Sequence, residues 1–157
     1  MQLESIRMFT AYHIDLTRRV WQAIDSISDA QFLEEQPYSR GSLRNLMMHL
    51  VSTDRRWLAG LKNQADVGHL KLEDYATRRA GRAQFESVAA ELAAYVEALP
   101  EAELSRPASG MPNPRWQILL HIVNHGTDHR ATALQMLAGL GVPTFDQDFI
   151  VWLWSRK

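Results

Sequence analysis

Pro114-Arg-Trp-Gln-Ile-Leu-Leu-His121-Ile-Val-Asn-His125-Gly-Thr-Asp-His129-Arg130 is the stretch whose reading decides the fold. Three histidines stand four residues apart in a long segment of helical apolar periodicity. Residues i and i+4 of an α-helix lie on one face, one turn apart. Two imidazoles at that spacing can close on one divalent ion. His121 and His129 are separated by roughly 12 Å of helical rise and about 80° of rotation, too far for one ion to hold both easily. Spacing therefore leaves two pairs open, His121 with His125 and His125 with His129. Asn113 before Pro114 reads as a cap followed by proline at the first helical position. Gly139, Gly141 and Pro143 predict an end near Leu137 or Leu140.

The rest of the chain repeats this pattern of amphipathic helices. Leu3, Ile6, Phe9, Leu16, Val20, Ile24 and Ile27 form a helical stripe that also carries His13. Ser28 to Phe32 predicts a short helical turn, and Pro37 to Gly41 a linker. Ser42 caps a second long helix through Leu43, Leu46, Met47, His49, Leu50, Trp57 and Leu61, fraying near Gly60 and Asn63. Residues 64 to 82 read as a crossing loop with a short helical piece. Residues 83 to 99 predict a third helix, stopped by Pro100. Phe149, Trp152 and Leu153 suit a short C-terminal helix that packs back. Strand alternation is absent.

Four long helices predict an all-α four-helix bundle, with a long crossover between the second and third and a short C-terminal helix. The length of 157 residues predicts a single domain over 1–157. Asp29-Ala-Gln-Phe32 and Glu101-Ala-Glu-Leu104 echo one another, as do Ser42 to His49 and Pro114 to His121. Two related helical hairpins would produce this echo, which pairs His49 with His121.

Composition sets the outer limits. Seventeen Lys and Arg against eighteen Asp and Glu give a formal net charge of -1, which argues against nucleic acid and against an anionic membrane. With no cysteine there is no disulfide and no thiolate ligand. No run approaches a membrane span, and Met1 to Arg7 lacks a signal-peptide core, so a cytoplasmic protein is expected.

Three of the six histidines fall within nine residues, and His49 lies in another apolar helix. Neutral imidazole is a common ligand for zinc, nickel and related ions. A shared ion would satisfy several buried rings at once, and three protein ligands with an open position is the arrangement of catalytic sites. The competing reading is a core histidine with an ordinary hydrogen bond. That reading is favoured for His13, which has no spacing partner, and slightly for His121. His69, in a polar loop, reads as surface.

At these residues the chain resembles the DinB/YfiT-like family of small four-helix bundles. The resemblance rests on Leu120 to Arg130 with Leu137 to Gly141 and Pro143, and on Ser42-Leu to His49-Leu50 with Asp54 and Trp57. It implies a divalent metal, commonly nickel or zinc, held by His49, His125 and His129. Many relatives follow His-Arg with Gly-Gln, whereas this chain has Ala131-Thr132, so a role for that glutamine has no counterpart here.

Asp54 and Asp128 are candidate acceptors for the outer ring nitrogens of ligating histidines, Asp128 being favoured as a solvated side chain. Arg130 suits either a substrate anion or an acidic partner in the fold. Trp152 and Trp154 suit a homodimer contact. The family implies a thiol-dependent transferase or a metal-assisted hydrolase. In the transferase the thiol must come from a low-molecular-weight cosubstrate. No general base stands out; Asp54, His13 and His121 are considered in that order. The alternative is a non-catalytic, metal-binding, stress- or damage-inducible dimer.

Overall fold

Polar side chains cap the starts of three of the helices. The computed structural model describes residues 2–156. Ser28 and Gln31 form a reciprocal capping box, Ser42 accepts from the Asn45 amide and Thr77 from the Ala80 amide. Each pairing satisfies an amide that the first helical turn leaves without a backbone partner. The elements are α1 (Leu3–Ile24), α2 (Asp29–Leu33), α3 (Leu43–Leu61), α4 (Arg78–Ala98), α5 (Glu101–Leu104), α6 (Arg115–Gly139) and α7 (Phe149–Trp154). A 3-10 turn, Leu72–Tyr75, lies in the crossing between α3 and α4. No strand occurs among the described residues, and the fold is all-α. Within them, no helix is long and apolar enough to cross a membrane.

The order long–short–long occurs twice, as α1-α2-α3 and as α4-α5-α6. The main packing partners alternate accordingly: α1 lies against α4 and α6, and α3 lies against the same two. Ile6, Trp21, Ile24, Leu46, Met47, Leu92 and Leu137 are among the side chains that fill the interior. Burying such side chains contributes about 1.5–3 kcal/mol each. Tyr12, Leu16, Val123 and Trp152 make a second cluster that holds α7 on α1. Trp152 donates from Nε1 to Asp15 at 2.8 Å and is buried in this chain's own packing; Trp154 stays exposed.

Two helix starts differ from the sequence expectation. The third long helix begins at Arg78 and not at residue 83. Thr77 caps it, and Arg78 ties it to the Asp29 carboxylate and the Asp25 carbonyl. Gly81 is helical and faces Trp21, whose ring occupies the space a side chain would need. At α6, Pro114 is the cap and Arg115 the first helical residue. Pro114 is held extended by an antiparallel bridge to Pro107, and the Arg115 amide donates to the Arg106 carbonyl. The Asn113 side chain is directed instead to Gln117, at 2.8 Å.

Candidate metal centre

The buried stripe of α6 runs through Ile118, Leu119, Ile122, Val123, Gly126, Arg130, Ala133 and Leu137. His121, His125 and His129 form the i+4 row along its edge. Because four residues advance about 400°, each step turns the row by about 40°. His121 is accordingly exposed, while His125 and His129 are half-buried and turned toward α3. His49 meets them from α3, which the apolar face of that helix holds against α6.

The Nε2 atoms of the three rings converge. His129 Nε2 lies 2.9 Å from His125 Nε2, and His49 Nε2 lies 3.3 Å from the same atom. Among the described residues, His49, His125 and His129 are the group of histidine or acidic side chains arranged to hold a metal ion, with ligand atoms within 4.8 Å of one another. Tetrahedral ligands about 2.0–2.1 Å from a zinc ion stand roughly 3.3 Å apart, so this donor set fits a divalent ion. Without an ion, lone pairs would face one another unless a proton sat between them.

Electrostatics keeps these rings neutral. Burial is the main cause that lowers the pKa of His49 to about 4, with the Arg40 charge and the neighbouring imidazoles adding to it. Burial, then the charge of His129, lowers His125 to about 4, against an opposing effect of Asp54. His129 is also lowered, again mainly by burial. Neutral imidazoles are the form that ligates metals.

Behind the cluster lies a buried polar chain. His13 from α1 is 1% exposed and sits between two side chains. Its Nε2 is 2.9 Å from Asp54 Oδ2, and its Nδ1 is 3.0 Å from Arg130 Nη1. Arg130 is 0% exposed and also donates to the hydroxyls of Thr17 and Thr127, at 3.2 and 3.0 Å. Its guanidinium lies 5.2 Å from the Tyr12 ring centroid, and burial pulls its pKa below the usual arginine range. This placement corrects both sequence alternatives for Arg130. It faces neither a substrate cavity nor a directly bonded carboxylate; an imidazole stands between it and Asp54. The expectation of a hydrogen-bonded core position for His13 agrees with the structure.

In front of the cluster is a cavity of ≈ 530 Å³ lined by His49, Trp57, Met111, His121 and His125, with His69 at its edge. The His121 ring meets Trp57 edge-on at 5.1 Å and lies 5.7 Å from His125. His121 thus belongs to the cavity and not to the core, contrary to the preference from sequence. Asp54 and His13, placed ahead of it as general bases, are buried behind the cluster and do not line this cavity. The Asp128 side chain is 80% exposed and 4.0 Å from His129 Nδ1, as expected of a solvated residue. His69 is exposed but not idle: it bonds to Arg56 at 2.7 Å and to Ser52 at 3.3 Å. Sequence reasoning missed its link to the site, since only the fold of the crossing segment brings it there.

Met111 comes from the linker before α6 and fills the space left by Gly60, whose added Cβ would collide with the Met111 methyl. The linker is fixed to the turn after α3 by a 2.6 Å hydrogen bond from the Ser109 amide to Asn63. Asn63 itself adopts φ 56°, a conformation asparagine tolerates better than most residues.

An all-α chain with three imidazoles from two helices converging beside an open cavity has the features of a helical metal-binding class. The model of the DinB family matches residues 3–156, nearly the whole chain, and the protein belongs to that family. No curated protein matches the sequence.

Proposed function

We propose that His49, His125 and His129 bind one divalent ion, zinc or nickel, and that the protein is a metal-dependent enzyme acting on a small molecule in the adjoining cavity. The observation that carries this reading is the convergence of three neutral Nε2 donors, two of them on His49 and His125 at the wall of that cavity. A structural zinc site is usually closed by a fourth protein ligand, whereas this group of three leaves a position for water or substrate. A divalent ion there supplies Lewis acidity, lowering the pKa of a bound water or thiol into the neutral range.

The chain's own residues define the rest of the chemistry. Trp57 and Met111 offer an apolar wall for the body of the substrate. His121 faces the cavity outside the three-histidine group, where it accepts a proton from the nucleophile or returns one to the leaving group. With no cysteine in the chain, a transferase takes its sulfur nucleophile from a low-molecular-weight thiol, and a hydrolase takes its oxygen nucleophile from water.

A turnover screen on zinc- and nickel-loaded protein separates these reactions. One arm offers small thiols with carbon electrophiles; the other offers esters and amides without thiol. The reading expects metal-dependent turnover in one arm and its loss in His125→Ala. Turnover that survives in His125→Ala with no bound metal, or no turnover in either arm, contradicts the enzyme.

A further inference from the structure

Two buried polar atoms at the metal centre have no hydrogen-bond partner among the described residues: Asp54 Oδ1 and His125 Nδ1. One is a carboxylate acceptor, the other a ring nitrogen able to carry a proton. We propose that Asp54 is a positioning residue whose free oxygen takes the Nδ1 proton of His125 through one bridging water, and so aims the His125 Nε2 lone pair at the ion. The inference rests on the metal reading above and adds residues to it.

Proton directions along the buried chain follow from Arg130. A guanidinium only donates. Its Nη1 faces His13 Nδ1, so that nitrogen presents a lone pair and the proton of the neutral ring sits on Nε2. His13 Nε2–H then donates to Asp54 Oδ2. This leaves Oδ1 as the unused acceptor of a carboxylate whose charge is felt at both His125 and His129. The Nε2 of His125 is already turned to His49 and His129, which makes Nδ1 its outer nitrogen. An Asp54–His125 link closes a circuit that leaves α6 at Arg130, crosses α1 at His13 and α3 at Asp54, and returns to α6 at His125. Arg130 fixes the tautomer of His13; Asp54 fixes that of His125. Carboxylates commonly hold metal-ligating histidines this way.

Gly126 makes the geometry possible. A Cβ there would strike the His13 ring and lie 2.8 Å from Arg130 Nη1. The residue between His125 and Thr127 thus leaves room for α1 to bring His13 against α6.

Asp54→Asn discriminates the proposal, because a carboxamide has one acceptor and one donor. His13, locked by Arg130, claims the oxygen; the amide NH2 then faces His125 Nδ1 and moves that ring's proton to Nε2. The measurement is the long-range 1H–15N spectrum of the histidine rings in metal-free and zinc-loaded protein, with zinc affinity from competition against a chromophoric chelator. The expected results are His125 protonated at Nδ1 in wild type, Nε2 protonation in metal-free Asp54→Asn, and zinc affinity lower by about 10–100-fold in the variant. His125 protonated at Nε2 in metal-free wild type overturns the proposal, and so does a folded Asp54→Asn with wild-type zinc affinity. Should the variant fail to fold, the wild-type tautomer decides alone. Wild type that takes up no zinc overturns the metal reading instead, while the metal-free spectrum still tests the Asp54 link.

Discussion

The imidazole of His13 lies in the volume that a side chain on Gly126 would occupy, so α1 and α6 approach at the level of the three-histidine cluster only because residue 126 has no Cβ. Both residues are buried, and His13 is held from its other side by Asp54 at 2.9 Å. The ring has no free direction in which to retreat.

Gly126→Ala therefore acts through overpacking and not through helix propensity, for which alanine is the better residue. Inserting a methyl group into a packed interior costs about 1–3 kcal/mol. Chemical denaturation should show that loss. An unchanged or raised midpoint would mean that His13 can move aside, and that the polar chain behind the centre is loosely held.

His121 provides the contrast to His49, His125 and His129. It lies in the same i+4 row, but it is exposed and faces Trp57. His121→Asn should bind zinc with wild-type stoichiometry and lose turnover by about 10²–10⁴-fold, the range for a general acid or base. Stoichiometric zinc with full turnover would remove His121 from the chemistry. Lost zinc would place it among the ligands.

The metal-free protein should weaken in mild acid. The folded-state pKa values of His49 and His125 lie at about 4, below the ordinary 6.5. Between these values the unfolded chain binds more protons than the folded one. Stability is then fully present above about pH 6.5 and declines as pH falls toward 4. The thermal midpoint of chelator-treated protein, followed over that range, should drop more steeply than that of His49→Gln/His125→Gln. Equal slopes would place the acid sensitivity elsewhere.

Much of this arrangement was legible along the chain, and the misses share a cause. Helix periodicity is local, so α1, α3 and α6 and the i+4 histidines follow from short windows of sequence. The turn of about 40° per step along the row, which takes His121 out and His129 in, follows from helix geometry once the buried face is known. That face is set by tertiary packing. His49 lies 76 residues from His125 and joined it only through the family resemblance. Arg130 and His13 are 117 residues apart, and no local pattern announces a buried arginine satisfied by an imidazole and two hydroxyls. The early start of α4 has the same origin: Arg78 anchors it to Asp29 and Asp25, 49 and 53 residues away in the chain.

Binding of one divalent ion by Nε2 atoms from two helices can be measured outright. The direct measurement is a zinc titration by calorimetry, on protein made without a histidine tag and stripped of metal, for wild type, His121→Asn and His125→Ala. One ion per chain is expected in wild type and His121→Asn, and none bound tightly in His125→Ala. Wild type that binds no zinc, or His125→Ala that binds it as wild type does, would contradict it.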